Sequence, residues 1–185
     1  RMSIPGLVVL TDDAGQPIGT APKADVHTTD TPLHLAFSCH VIGPDGRVLL
    51  TRRALAKKTW PGVWTNSFCG HPAPGEAMED AIRRRAEQEL GIRLTDLRPA
   101  LPEYRYRAVD AGGIVENEIC PVFIATLDSD LTPDTSEVAE WAWATPQSLA
   151  DAVDGTPFAF SPWLVEQVPQ LLAIGALEAL DGARA

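Results

Sequence analysis

Cysteines, basic residues and long apolar runs are all scarce in this chain of 185 residues. It has three cysteines, an odd number in a sequence without an export signal, which favours free thiols over a disulfide framework. No stretch is long and apolar enough to span a bilayer, and the first five residues lack the apolar core of a signal peptide. We therefore expect a cytoplasmic protein, with Arg1 left over from cloning ahead of Met2.

The shortage of positive charge limits the possible partners. Lysine and arginine number 15 against 25 acidic residues, a formal net charge of -10, so nucleic acid would be repelled. Hydrophobic residues make up 45% of the chain and the mean hydropathy is -0.04, which disfavours both disorder and membrane insertion. The length suits one well-cored domain over residues 1–185, and we expect a monomer or weak homodimer without nucleic-acid or membrane partners.

The segment from Trp60 to Ile92 carries the strongest chemical signal. Residues 63–68 are rich in β-branched and aromatic side chains, which predicts a strand, and Cys69-Gly70-His71 is predicted to be the turn that leaves it. Apolar residues then recur every three or four positions from Glu76 to Leu90, which predicts a helix of about four turns with Gly91 as its C-cap. A strand, a reactive turn and a charged helix therefore follow one another directly.

Period-two alternation predicts strands on both sides of this segment. Residues 103–108 place tyrosines on one face and arginines on the other, and residues 115–127 place Glu116 and Glu118 on the same side, roughly 7 Å apart. Two carboxylates so close require a cation unless both are solvated. The predicted strands are 7–10, 33–42, 47–52, 103–108, 115–127 and 138–143, and Thr145-Pro146 and Ser161-Pro162 are predicted to begin two more helices.

The same segment resembles the Nudix signature, in which a glycine, a glutamate and a charged block occur at fixed spacing. The matching residues are Gly70, Glu76, Arg84, Arg85, Ala86, Glu87, Gln88, Glu89, Leu90, Gly91 and Ile92. Two positions depart from the pattern, because Arg85 replaces one glutamate and Gln88 replaces the first of the paired glutamates. In Nudix hydrolases those carboxylates gather Mg²⁺ ions that activate water, so the resemblance implies a different reaction on a diphosphate.

A second resemblance is more specific, and it covers residues 26–163. The chain is similar to type I isopentenyl diphosphate isomerases in Asn66-Ser67-Phe68-Cys69-Gly70-His71-Pro72, Tyr104-Arg105-Tyr106-Arg107-Ala108, Glu116-Asn117-Glu118 and Ser161-Pro162-Trp163. This implies a Nudix-like α/β/α sandwich with a mixed β-sheet between helices. It also implies metal-dependent interconversion of isopentenyl and dimethylallyl diphosphate in isoprenoid biosynthesis. The leading alternative is a Nudix diphosphatase acting on a small organic diphosphate, and a third is a catalytically silent diphosphate- or metal-binding module.

The resemblance implies a set of metal ligands made of imidazoles and carboxylates. They are His27, His34, His71, Glu116 and Glu118. Such a set suits Zn²⁺, Mn²⁺ or Fe²⁺ better than Ca²⁺, and we expect one tightly bound divalent ion, Mn²⁺, Zn²⁺ or Mg²⁺. Taken singly, each histidine is better explained as a polar side chain bonded to a backbone carbonyl, so the set depends on the resemblance. His40 matches no ligand of the family and is interpreted as structural.

The resemblance also implies the groups that move protons. Cys69 would act on one side of the substrate and Glu118, supported by Tyr106, on the other, with the order of proton transfer left open. The indole of Trp163 would stabilise a carbocation by about 2 kcal/mol if desolvated, although a Trp in a first helical turn more commonly packs against a sheet.

Basic residues would surround the diphosphate. The resemblance implies Lys23, Arg53, Lys57 and Arg85 for this role, with Glu89 holding a Mg²⁺ ion that also touches the diphosphate. On the residues alone, the basic run at 52–58 is a solvated loop. Arg85 is then an i,i+4 partner of Glu89, contributing roughly a few tenths of a kcal/mol.

Overall fold

The computed structural model describes residues 6–178. The strands are β1 (Leu7–Thr11), β2 (Pro17–Pro22), β3 (His34–Leu35), β4 (Phe37–Ile42), β5 (Val48–Arg53), β6 (Trp64–Thr65), β7 (Phe68–Gly70), β8 (Leu94–Leu101), β9 (Arg105–Val109), β10 (Val115–Ile119), β11 (Val122–Leu127) and β12 (Val138–Ala144). The helices are α1 (Lys23–Val26), α2 (Met78–Leu90), α3 (Pro146–Gly155) and α4 (Pro162–Ala173), with a 3₁₀ turn at Pro157–Ala159. Within residues 6–178 no helix has the length and apolar character needed to cross a membrane.

The strands form two mixed sheets. The smaller sheet has the order β2-β1-β3-β10-β9, and the larger has the order β12-β5-β4-β11-β8, with β6 beside β5 and β7 beside β4. Each sheet contains one parallel pair, β3 with β10 in the smaller and β4 with β11 in the larger. The predicted α/β class is confirmed, with the strands divided between two sheets.

Three of the predicted strands are split. Residues 63–68 are divided between β6 and β7, and the splits in the other two strands lie side by side. Residues 33–42 become β3 and β4, and residues 115–127 become β10 and β11. At the junction the backbone N–H of Ala36 donates to Ile119 at 2.9 Å, and that of Ser38 donates to the carbonyl of Pro121 at 3.1 Å. Pro121 has no backbone N–H, so it cannot donate a hydrogen bond to a neighbouring strand. Both chain segments therefore pass from one sheet to the other at the same place, and the site lies at this junction.

Helix α2 begins at Met78, two residues later than predicted. Glu76 stays outside the helix because its carboxylate accepts the backbone N–H of Ala73 at 3.0 Å and pairs with Arg84 at 2.8 Å. The predicted C-cap at Gly91 is confirmed, with a φ of 65°. The apolar side of α2 packs against the larger sheet through Ile82, Ala86 and Leu90, which lie in one core cluster with Phe37, Cys39 and Phe68.

Helix α4 places two of its side chains, Trp163 and Gln167, in the interior of the protein. Its predicted start is confirmed, because the Ser161 hydroxyl accepts the backbone N–H of Leu164. Thr145 caps α3 in the same way, at 3.1 Å from the N–H of Ser148. The two helices pack through Leu149, Val153, Leu164 and Val168. This packing fixes Trp163 and Gln167, both buried, beside the larger sheet.

Candidate active site

A cavity of about 440 Å³ opens at the junction of the two sheets. Twelve of the thirteen predicted site residues line it, namely Lys23, His27, Arg53, Lys57, Cys69, His71, Arg85, Glu89, Tyr106, Glu116, Glu118 and Trp163. The thirteenth, His34, is fully buried and contacts Glu118. These residues come from both sheets and from α1, α2 and α4, so only the folded chain brings them together.

Three histidines converge on one carboxylate oxygen. The Nε2 atoms of His27, His34 and His71 lie 3.6, 3.3 and 3.2 Å from Oε1 of Glu118. One ligand atom from each of the four residues lies within 4.8 Å of all the others. Ligands bound tetrahedrally at about 2.1 Å from a divalent ion stand about 3.4 Å from one another, so the spacing fits a metal.

The hydrogen bonds of His34 give a second test of that fit. Its Nδ1 lies 2.9 Å from the carbonyl oxygen of Pro32, which accepts only if Nδ1 carries the proton. In the neutral form of the ring, the Nε2 atom is then bare and faces the Glu118 carboxylate. Buried Nε2 atoms of His27 and His34 have no hydrogen-bond partner among the described residues. A bare imidazole nitrogen facing a carboxylate oxygen is a natural position for a cation.

Burial and mutual contacts shift the pKa values of Glu118 and His71 strongly. Burial alone would raise the pKa of Glu118, but the three imidazoles outweigh it and hold the pKa well below its usual range. Burial lowers the pKa of His71 to about 4, so this imidazole is neutral near pH 7. An ionised carboxylate beside a neutral imidazole is the protonation pattern that metal binding requires.

Glu116, the fifth predicted ligand, lies beside the group of four. It is on the same side of β10 as Glu118, as the alternation predicted, but its carboxylate accepts the Thr59 hydroxyl at 2.5 Å and the hydroxyl of Tyr106. The Tyr106 hydroxyl also lies 3.1 Å from Oε2 of Glu118, so it sits between the two carboxylates. Burial, and then the charge of Glu118, raises the pKa of Glu116.

Cys69 lies in strand β7, so the predicted turn at this residue is wrong. It pairs with Ser38 of β4, and Gly70 pairs with Phe37. A Cβ atom on Gly70 would come within 2.7 Å of the side chains of Arg85 and Phe37. Gly70 is therefore needed for close packing between β4, β7 and α2, and pairing with β4 extends the strand past Cys69.

The Cys69 thiol is held by Asn66, whose role the sequence did not reveal beyond its place in a motif. The Asn66 amide group donates to the carbonyls of Cys39 at 3.0 Å and Phe68 at 2.8 Å, so its oxygen must serve as the acceptor. That oxygen accepts from Cys69 Sγ at 3.4 Å and from the indole N–H of Trp163 at 3.0 Å. Burial raises the pKa of the Cys69 thiol to about 11, so the thiol is protonated near pH 7.

Trp163 is buried against other aromatic and cationic groups. Its ring centroid lies 5.6 Å from that of Tyr106 and 5.5 Å from that of Trp60. The Arg53 guanidinium carbon lies 5.4 Å from the ring centroid, so the indole already holds one cation.

Cations and carboxylates alternate on the other side of the cavity. Arg85 contacts Glu89 at 2.8 Å and Glu137 at 3.9 Å, and Glu137 also pairs with Lys57. Burial, followed by the charges of Arg85 and Lys57, lowers the pKa of Lys23 to about 8. Sequence reasoning missed Glu137, because a single glutamate before an edge strand has no distinguishing local pattern.

Comparison with known proteins identifies the family. The sequence model of the NUDIX domain matches residues 32–164. A protein of Paenarthrobacter aurescens named isopentenyl-diphosphate Delta-isomerase is 61% identical over 184 residues, covering 100% of both chains. One of the same name from Kocuria rhizophila is 63% identical, covering 90% of this chain and 92% of that one. This chain belongs to the isopentenyl-diphosphate Delta-isomerase family of NUDIX proteins.

Structural similarity supports the NUDIX fold of this isomerase family member. A crystal structure from Deinococcus radiodurans superposes with a TM-score of 0.69 at 19% identity, covering 89% of this chain and 98% of that one. The NUDIX match begins after Lys23 and His27, whereas the relative from Paenarthrobacter aurescens covers both. Two residues of the site therefore lie outside the NUDIX match and inside the isomerase match.

Proposed function

We propose that this protein interconverts isopentenyl diphosphate and dimethylallyl diphosphate by moving one C=C bond. The observation that carries the proposal is the meeting of Cys69 and Glu118 in one cavity, within a chain that matches an isomerase relative over its full length. Cys69 comes from the larger sheet and Glu118 from the smaller. An allylic shift needs a proton added at one carbon and removed at another, and two groups on separate sheets can reach separate carbons.

The histidines and Glu118 would hold one divalent metal ion, Mn²⁺, Zn²⁺ or Mg²⁺. The unpartnered Nε2 atoms of His27 and His34 favour this assignment, and so do the distances of 3.6, 3.3 and 3.2 Å from the three Nε2 atoms to Glu118. When bound, such an ion supplies a fixed positive charge that orients the Glu118 carboxyl and sets its protonation. Glu116 would support the site from one side, through the Tyr106 hydroxyl that it shares with Glu118.

The protein groups themselves would carry the protons. Because burial raises the pKa of Cys69 to about 11, its sulfur can hold a proton near pH 7 and deliver it to an alkene carbon. The Tyr106 hydroxyl steadies the Glu118 carboxylate, which exchanges the other proton. The tertiary carbocation formed between these steps would lie against the aromatic rings of Trp163 and Tyr106, which also exclude water.

The diphosphate would bind on the basic side of the cavity. Lys23, Lys57, Arg53 and Arg85 line it, and Glu89 would share a Mg²⁺ ion with the diphosphate. In the structure Arg85 and Lys57 are paired with Glu89 and Glu137. An incoming diphosphate would compete with those carboxylates for the same cations.

A hydrolytic reaction is disfavoured by the contacts of Gln88. Its amide oxygen accepts from Arg84 at 3.3 Å and from Arg85 at 3.4 Å. Gln88 therefore bonds to two arginines, whereas a hydrolase would need a carboxylate here to bind the metal ions that activate water. The test is product analysis of isopentenyl diphosphate incubated with the metal-loaded protein. We expect dimethylallyl diphosphate without free phosphate or pyrophosphate, and no product from Cys69→Ala. Phosphate release without double-bond migration would overturn the proposal.

A further inference from the structure

Cys69 has a second side-chain neighbour besides Asn66. Its sulfur lies 3.5 Å from the hydroxyl oxygen of Ser38, the residue opposite it on β4. The same hydroxyl lies 3.3 Å from the sulfur of Cys120, which is fully buried. One rotatable O–H group therefore stands between two thiols, and only one of them faces the cavity.

Two more buried residues, Gln167 and His40, determine which hydrogen bonds the Ser38 hydroxyl can form. The amide nitrogen of Gln167 donates to the Ser38 oxygen at 3.0 Å, and the amide oxygen of Gln167 lies 2.8 Å from Nε2 of His40. Burial lowers the pKa of His40 to about 4, so the ring is neutral and carries its proton on Nε2, where an acceptor is present. All three side chains are fully buried. Gln167 donates to the Ser38 oxygen and offers it no acceptor, so among the described side chains the two sulfurs are the acceptors within reach of the Ser38 proton.

We propose that Ser38 is a positioning residue for Cys69, and that Gln167 and His40 hold Ser38 in this role. This rests on the proposed function, since it assumes that the Cys69 sulfur exchanges a proton with substrate. In the resting thiol, Asn66 accepts the S–H of Cys69, and the Ser38 hydroxyl points at the nearer sulfur of Cys120 while its oxygen lies 3.5 Å from the Cys69 sulfur. When the proton moves to a substrate carbon, the Ser38 hydroxyl turns from Cys120 to Cys69 and donates to the sulfur that now carries the negative charge.

The buried polar side chains around Ser38 carry an energetic cost. Three buried polar side chains in a row, Ser38, Gln167 and His40, are expensive unless every donor meets an acceptor. Apolar residues of similar shape at all three positions would fill the same space without this cost, whereas an apolar residue at position 38 alone would leave the Gln167 amide without its acceptor. A role for the hydroxyl in turnover explains why a polar side chain stands where β4 faces the reactive sulfur.

The test compares substitutions that differ only in the hydroxyl. Ser38→Thr and Ser38→Val have the same shape, so any overpacking affects both, whereas only threonine can donate to sulfur. We expect kcat for isomerisation to be about 10- to 100-fold higher in the threonine variant, the range of a hydrogen bond to a charged acceptor, with equal KM. Ser38→Ala should lower kcat by a similar factor relative to the unaltered protein, again with KM unchanged. Equal kcat in the threonine and valine variants, or full kcat in Ser38→Ala, would overturn the proposal.

Two further variants separate the role of Ser38 from simple packing. Gln167→Met removes the donor that occupies the Ser38 oxygen, and we expect a smaller fall in kcat than in Ser38→Ala. Cys120→Ala removes the second thiol and should leave kcat within about threefold, because Cys69 does not depend on it. A large loss in Cys120→Ala with full activity in Gln167→Met would contradict the assignment. Absence of isomerisation by the unaltered, metal-loaded protein would instead refute the proposed function.

Discussion

Replacing Tyr106 by phenylalanine tests the geometry of the two carboxylates most simply. The hydroxyl stands between Oε2 of Glu116 and Oε2 of Glu118, and within residues 6–178 it is the only hydrogen-bond donor recorded for either atom. The other oxygen of Glu118 faces the three histidines, and that of Glu116 accepts from Thr59. Removal of the hydroxyl therefore takes away the single proton that these two buried carboxylate oxygens share.

The expected magnitude follows from the charge of the acceptor. A hydrogen bond to an ionised group contributes about 1.5–3 kcal/mol, so loss of this support in the transition state should lower kcat by roughly 10- to 150-fold. Tyr106 contacts no diphosphate-binding residue through its hydroxyl, so KM should change little. Bound metal should be retained, because the histidines and Glu118 are untouched. Kinetics and metal analysis on the same preparation measure all three quantities.

Tyr104→Phe is the matched control for this experiment. Tyr104 stacks on Tyr106 with ring centroids 5.9 Å apart, and the two residues are buried to a similar extent, 7% and 8% exposed. Its hydroxyl bonds Glu166 at 2.7 Å, away from the two carboxylates. We expect kcat of this variant within about threefold of the unaltered protein. Equal kcat in both phenylalanine variants would refute the proposed support of Glu118 by Tyr106.

Three further predictions concern the metal, the thiols and Gln88 of the Nudix signature. His34→Ala should no longer bind one tightly held metal ion per chain. The unaltered protein should also lose its metal at low pH, because protonated imidazoles cannot bind it. Full metal content in the variant would show that His34 is not a ligand. Cys69→Ala should lower kcat by several orders of magnitude with little change in KM. Cys39→Ala should lower only the melting temperature, because Cys39 is fully buried in the core. If substrate protects Cys39 from alkylation, the two cysteines have been assigned the wrong way round. Gln88→Glu should not increase isomerisation, and an increase would show that a carboxylate is missing there.

Local patterns predicted the parts of the fold that depend on local physics. The apolar spacing in α2, the positive φ of Gly91 and the hydroxyl caps at Thr145 and Ser161 each follow from a few neighbouring residues, and all are confirmed. Tyr104 and Tyr106 are buried and the arginines between and after them exposed, as alternation predicted. These features need no knowledge of the pairing of distant strands.

The pairing of distant strands could not be predicted from local sequence patterns. The alternation of residues 115–127 looks the same whether they form one strand or two, so the crossing at Pro121 was not predicted. Local pattern places Cys69 in a turn, because its partner strand, β4, lies about thirty residues earlier in the chain and has no part in that pattern. The contacts of Glu116 with Thr59 and of Ser38 with Gln167 likewise join distant residues. The resemblance to a family named the site residues, but only the fold gives their distances.

The most direct test of the isomerase assignment is turnover of isopentenyl diphosphate in D₂O. Protons on Cys69 and Glu118 exchange with solvent, so the proton delivered to the alkene should be a deuteron. This assignment predicts dimethylallyl diphosphate carrying deuterium in its newly formed methyl group, with no release of phosphate or pyrophosphate. Dimethylallyl diphosphate without deuterium, or phosphate released from a substrate whose double bond has not moved, would contradict it.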